Sequence, residues 1–535
     1  MKTMINSIIL ASCLALPLAS CSDSDAAPEQ KDWSTTTYFN SSDAAAQDTY
    51  YKPAVGYVGD PMPFFDPVAG DFKVLYLQDF RPNPEGTYHP IWGVSTKDAA
   101  HYTALGELVS CGTLKSQDAA IGTGSTIYDE ASKLYYTFYT GNKYKPTGDE
   151  SAQAVMVATS ADFKTWTKDR TFLLKGQDFG YDKNDFRDPF VFKGDDGKFH
   201  MLISTKKGGK GSLAEFVSDD LKNWTDNGVF MTMMWDRFYE CPDLFKMGDY
   251  WYLVYSEIHH AVRRVQYFKG RTLDELKACT ANDVARWPDA HEGFLDSRGL
   301  YAGKTASDGT NRYLWGWCPT RSGKDNTAVG ASPAEPEWAG NLVCYKLIQH
   351  EDGTLTLGQV DAVSEKYNQD VAVEVKESQN MTEADGTYTL AGNVEQPDAY
   401  MLMGRLGNHN KISFTVTTSN EWDKFGISMV RGSDSKKYYT MVVNPENENN
   451  RKVNFEEQGV EGKGFIAGID GYVFARPADN VYNVTIYTDN SICVMYINDV
   501  CSYTNRIYGI QKNCWSINSY NGANVKISNL KISQY

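Results

Sequence analysis

At 535 residues the chain is too long for one ordinary hydrophobic core, so two domains are expected. A formal net charge of −16 argues against a nucleic-acid binder, whose phosphate partners need a basic patch. With 34 Tyr, 24 Phe and 12 Trp and no helical heptads, the composition suits an all-β protein whose cleft meets sugar rings, which stack on aromatic faces.

Residues 1–21 read as a targeting sequence. Lys2 supplies the charge, and Met4–Ser20 form an apolar run too short and too rich in small residues to stay as a membrane span. The run ends in Leu18-Ala19-Ser20-Cys21, which resembles a bacterial lipoprotein cleavage box, with Cys21 expected to carry the lipid. Leu10-Ala11-Ser12-Cys13 fits the same pattern but lies inside the apolar stretch. Residues 22–48 form a polar tether whose Ser22-Asp23-Ser24-Asp25 is similar to the acidic export signal of Bacteroides-type surface lipoproteins. The expected location is the bacterial outer membrane, cell surface or periplasm, with membrane contact only through the N-terminal lipid anchor. An ordinary secretory peptide is the alternative.

From residue 49 to 360 a unit of about sixty residues recurs. Segments 160–167 (SADFKTWT) and 218–225 (SDDLKNWT) are near copies, and 95–103 (STKDAAHYT) is a looser one. Trp166 and Trp224 are 58 apart; Tyr102 and Trp166 are 64 apart. Between them run alternating apolar stretches bounded by turn residues: DFKVLYLQDF, KLYYTFYTGN, KFHMLIST, DYWYLVYSE and RYLWGWCP. Those are strand patterns, and five of them at this spacing predict a five-bladed β-propeller.

A polar cluster precedes a strand in each unit: Asp60, Thr123-Gly124-Ser125, Asp188, Glu240 and Asp296. Innermost strands of a propeller start at one face around the axis, so the repeat is expected to gather the five clusters into one ring. Arg187 and Asp188 lie beside the apolar Phe190-Val191-Phe192, a costly place for charges unless they are paired or used. Two carboxylates across a funnel are what glycoside hydrolysis requires, one to attack or orient water and one to protonate the leaving oxygen. A third acid nearby would raise the proton donor's pKa by like-charge repulsion. Arg187 would hold a hydroxyl-rich substrate with fixed donors.

Taken together these motifs resemble glycoside hydrolase family 32, the invertases, inulinases, levanases and other β-fructosidases. The family's Trp-Met-Asn-Asp-Pro-Asn-Gly is matched by Tyr57-Val58-Gly59-Asp60-Pro61-Met62-Pro63. The resemblance implies that Asp60 is the nucleophile, Asp188 of Arg187-Asp188-Pro189 the transition-state stabiliser, and Glu240 of Glu240-Cys241-Pro242 the acid/base. By further motif matches, Gln78, Trp92, Thr123, Ser125, Arg187 and Trp338 are the implied substrate-binding residues, with an oligo- or polysaccharide as partner; no cofactor or metal ligand is assigned, and the sequence leaves open whether a metal sits in the axial channel. The family route is retaining, through a fructosyl-enzyme ester, with the two carboxyl groups about 5–5.5 Å apart. A pocket closed by Trp92 and Trp338 would release terminal fructose from sucrose, levan or inulin. Gly59 and Met62-Pro63 depart from the motif where the family's asparagines contact the terminal fructose, so the sugar is left open. An inverting family-43 arabinan or xylan hydrolase is one alternative; a non-catalytic glycan-binding surface protein on a hydrolase scaffold is another. The intact acid trio favours an enzyme, and Glu-Cys-Pro favours family 32.

Residues 357–370 lead out of the propeller, and 371–535 alternate in short strands without helices, which predicts a β-sandwich. The stretch from Tyr487 to Tyr508 resembles the Asp-x-Ser-x-x-Glu-x-Phe-x-Asn segment of the family's sandwich, with Val494 at the Glu position. The sandwich is expected to pack on the propeller; glycan binding by it is the lesser alternative. The ten cysteines include no Cys-x-x-Cys, so a zinc site is not expected. The sequence leaves open whether Cys493 and Cys501, eight apart, form a disulfide.

Overall fold

The computed structural model describes residues 49–233, 238–257, 264–279, 293–321, 336–430, 438–445, 452–458, 465–467, 472–474, 476–511 and 513–535. The targeting sequence, Cys21 and the tether lie outside the described residues.

The chain first forms five successive antiparallel meanders. They are β1 to β4 (Tyr57–Asp66, Asp71–Asp79, Ile91–Thr96, Thr103–Val109), β5 to β8 (Ala120–Asp129, Leu134–Asn142, Gln153–Ser160, Thr167–Lys168) and β9 to β12 (Phe186–Lys193, Phe199–Lys207, Lys210–Ser218, Thr225–Thr232). The remaining two are β13 to β15 (Glu240–Met247, Tyr250–Glu257, Arg264–Gly270) and β16 to β19 (Tyr301–Ser307, Arg312–Arg321, Pro336–Gln349, Leu355–Gly358). The first strands touch in cyclic order, β1 to β5, β9, β13, β16 and back to β1. The meanders are therefore the blades of a propeller, and β18 pairs with β1 at Val58 and Gly340 to close it. The inner strands β5, β9, β13 and β16 remain end strands of their sheets, packed against one another around the axis.

Strand alternation explains how one blade serves two cores. On β2, Phe72, Val74 and Tyr76 join the cluster around Trp315, while Leu75 and Leu77 join the one around Tyr139 and Phe163. The repeated Ser/Thr-x-Asp segments are tight turns. Asp98, Asp162 and Asp220 each accept two backbone N–H bonds from the residues two and three further on, at 2.8–3.0 Å. The residue after each, Ala99, Phe163 and Leu221, has φ of 59–63°. The aromatic ending the turn then packs inward, as Trp224 does against Phe138 and Trp166 against Phe163.

Residues 369–534 form two eight-stranded sheets. In the strand His409–Thr418 every second residue is buried, and Ile412, Phe414 and Val416 face Met401, Ile427, Met441 and Trp515 across the sandwich core. The edge strand Cys501–Arg506 packs on β17 and β19. Asp296, expected in the ring, is instead at this junction, five residues before β16 begins. It is buried and accepts bonds from Thr504 N (2.8 Å), Thr504 Oγ1 (2.8 Å) and Ser502 Oγ (2.9 Å). Arg506 crosses the same junction to the carbonyls of Cys318 and Pro319 and to Asn341 Oδ1. Cys493 and Cys501 are free and buried; Cys493 lies opposite Asn505 and Cys501 opposite Ile497.

Candidate active site

The same irregularity occurs in all five inner strands. Pairing slips between Gly59 and Met62, between Gly122 and Gly124, at Asp188-Pro189, between Glu240 and Asp243, and between Tyr301 and Lys304. A bulge leaves residues out of the ladder and re-aims their side chains. Proline fits such a position because it has no N–H to pair, and Pro61, Pro189 and Pro242 sit in three of the bulges. Asp188, Cys241 and Ala302 take left-handed backbone there, with φ of 57°, 51° and 53°. Backbone strain of this kind costs about 1–3 kcal/mol per residue and persists only where the surroundings enforce it.

The bulges bring the three acids of the resemblance together. Asp60 accepts from Thr123 Oγ1 (2.6 Å) and Trp317 Nε1 (2.9 Å). Asp188 accepts from the backbone N–H of Cys241 (3.0 Å), next to Glu240. Glu240 accepts from Arg187 Nη2 (3.0 Å) on one oxygen and from the Tyr301 hydroxyl on the other. Arg187 also bonds Asp185 (2.7 Å), lies 3.9 Å from Asp188, and covers the ring of Phe238 at 3.8 Å. Its charge is thus paired by three carboxylates of the protein itself. Burial lifts the Asp60 carboxyl above its ordinary value; the Thr123 and Trp317 bonds oppose this, and Glu240 adds to it. Burial likewise pushes Asp188 up to about 6, opposed by Arg187 and reinforced by Glu240 and Asp60.

The other residues named from sequence divide. Thr123 and Arg187 touch the acids. Trp338 is half-buried, stacked on His89 at 4.2 Å and 6.1 Å from Trp317. Burial holds His89 down at about 3, so it is neutral. Trp92, only 8% exposed, packs edge-on against Phe80 in the core cluster, separate from Trp338. Gln78 is fully buried and donates to the Val55 carbonyl (2.6 Å). The Ser125 hydroxyl clips blade two to blade three, donating to Pro189 O (2.9 Å) and accepting from Val191 N (2.8 Å).

The motif departures have local causes. A Cβ on Gly59 would lie 2.2 Å from Trp338 Cη2, so the indole leaves no room for a side chain at this position. Met62 is buried, and its sulfur accepts from Gly124 N (3.1 Å). Sequence reasoning missed Tyr301 and Trp317. The available signal was the step of 61 from Glu240 to Tyr301, passed over in favour of the acid at 296.

Fold and site together define a class: a propeller with three clustered carboxylates on its inner strands, joined to a β-sandwich. Residues 50–360 match the Glycosyl hydrolases family 32 N-terminal domain, and 353–532 match the GH32, BT1760-like, C-terminal domain. The chain belongs to glycoside hydrolase family 32. It is 25% identical over 320 residues to an Arabidopsis thaliana insoluble β-fructofuranosidase, covering 54% of this chain and 51% of that one. It is also 25% identical over 217 residues to the Vibrio alginolyticus sucrose-6-phosphate hydrolase, 39% of this chain and 41% of that one. The chain thus spans about half the length, or less, of these curated relatives. Two solved structures share the fold: Lactobacillus gasseri sucrose-6-phosphate hydrolase (TM-score 0.65, 18% identity, 91% and 92% coverage) and Cichorium intybus fructan 1-exohydrolase IIa (TM-score 0.67, 16% identity, 91% and 97% coverage).

Proposed function

We propose that the protein hydrolyses terminal β-fructosidic bonds of sucrose or fructans such as levan and inulin, with retention. The observation that carries this is the convergence of Asp60, Asp188 and Glu240 from three blades, joined through Thr123, Arg187 and the Cys241 N–H. Asp60 attacks the anomeric carbon while Glu240 protonates the leaving oxygen; water then cleaves the ester, with Glu240 taking its proton. Asp188 forms no bond to the sugar and strengthens its hydrogen bonds to the ring as positive charge develops. The fructosyl unit is supported by relatives called β-fructofuranosidase and fructan 6-exohydrolase. Release of single terminal units is supported by Trp338, whose indole walls the residue next to Asp60.

The test is incubation with sucrose, inulin, levan and, separately, arabinan, with NMR of the first-formed product. Fructose in the substrate's anomeric configuration is expected; an inverted product, or cleavage of arabinan alone, overturns the reading. We also infer anchoring through Cys21. Cys21→Ala should be unlipidated and leave the membrane fraction, and unchanged fractionation would count against the anchor.

A further inference from the structure

Lys304 lies at the bulge of β16 and is 2% exposed. Its ammonium donates to the Gly124 carbonyl on β5 (2.8 Å) and stands 5.3 Å from the centre of the Phe190 ring on β9. β16 is not next to β5 or β9 in the ring; β1 intervenes on one side and β13 on the other. The side chain therefore spans the axial channel from the fifth blade to the second and third.

The groups around it are mostly acidic. β1 contributes Asp60, β9 contributes Asp188, and β13 contributes Cys241 and Asp243. Glu240 precedes Cys241; Arg187 on β9 bonds Glu240 at 3.0 Å and lies 3.9 Å from Asp188. Asp243 also accepts from Thr305 N (2.7 Å) and feels Arg312 on β17. β5 offers the Gly124 carbonyl. Burial lowers the Lys304 pKa, and Cys241, Asp243, Asp188 and Asp60 oppose that fall. Buried carboxylates without a counter-cation tend to take up protons. A nucleophile and a transition-state stabiliser must both be anions.

We propose that Lys304 is a positioning residue whose ammonium is a second counter-cation of the axial channel, acting with Arg187 to hold Asp60 and Asp188 as carboxylates. The proposal rests on the acid roles given under the proposed function. A side chain serving only as a strut would act through its bond to Gly124, whereas a counter-cation acts through charge.

The experiment compares wild type with Lys304→Met and Lys304→Gln. Removing the cation raises the neighbouring carboxyl pKa values, so the acid limb of the kcat/KM profile should move up by about one pH unit in both variants. Loss of activity should then be about tenfold greater on the acid side than at the alkaline end. An unmoved acid limb in a folded Lys304→Gln protein, with or without lower kcat, overturns the proposal. Carbon-13 NMR of labelled aspartate side chains reads the same shift without a substrate, so the test survives failure of the fructoside reading. Should neither variant fold, nitrogen-15 NMR of the wild-type lysines decides: an ammonium at Lys304 at pH 7 is required, and a neutral amine there overturns it.

Discussion

Asp188 is held in left-handed backbone, buried, and among two other carboxyls, so its charge opposes folding at neutral pH. Its folded-state value of about 6 lies above the ordinary 3.8, so the penalty is absent below about pH 4 and complete above about pH 6. Asp188→Asn should therefore stabilise the protein at pH 7 by on the order of 2–3 kcal/mol, and much less at pH 4.5. Chemical denaturation at the two pH values checks this, and the same variant should lose activity by about 10²-fold or more. Glu240→Gln should lower the rate on natural fructosides by about 10² to 10⁴, with substrates bearing good leaving groups losing less in the first step. At this scale the sequence was legible where a polar residue follows a motif. Thr123 and Arg187 do touch the acids. Gln78 and Trp92 stand on β2 and β3 rather than on an inner strand, and Ser125 lies past the β5 bulge where it joins blade three, so a motif match alone did not place them at the acids.

The bulges are the elements that make the site. Without one, strict alternation would send neighbouring residues to opposite faces and into the inter-blade cores. Alternation reads equally well on both sides of a bulge, so the sequence showed the strands but not the slips. The turn repeat was legible because Asp followed by a left-handed residue is a local device, while Tyr301 and Trp317 depend on register across the ring. Gly59 is the position where element and chemistry meet. Gly59→Ala should press on Trp338 and misplace Asp60, lowering kcat/KM by on the order of 10². Adding Trp338→Leu should recover part of that loss, measured as kcat/KM on sucrose for both single variants and the double. A double variant no better than Gly59→Ala would show that the indole is not what excludes a side chain there.

Over the whole molecule, propeller and sandwich share buried polar bonds at Asp296, Thr504 and Arg506. Backbones also approach closely there: a Cβ on Gly299 would stand 2.0 Å from the Thr504 carbonyl. The two domains should melt in one calorimetric transition. Arg506→Met leaves four buried acceptors, the carbonyls of Cys318 and Pro319, the Asn341 amide oxygen and the Ser491 hydroxyl, without this donor, a loss of about 3 kcal/mol or more, and should split the transition in two. The all-β class, a propeller followed by a sandwich, was legible from strand spacing. The depth of the junction was not, because Asp296 has the sequence surroundings of a funnel acid.

The closing seam also sets a timetable for biosynthesis. Asp60 leaves the ribosome 257 residues ahead of Trp317, its hydrogen-bond partner. Val58 waits longer still for Gly340, the residue that latches the first blade to the last. Thr49 and Tyr50 find their buried acceptor, Asp489, about 440 residues downstream. Loop closure over such separations is slow and comes late. A nascent chain halted before β18 thus holds Asp60 without Trp338 beside it, and one halted before Asp489 leaves Thr49 and Tyr50 without their acceptor. The ring thus closes only once β18 has emerged, and a product interrupted before that is an open ring exposed to proteases.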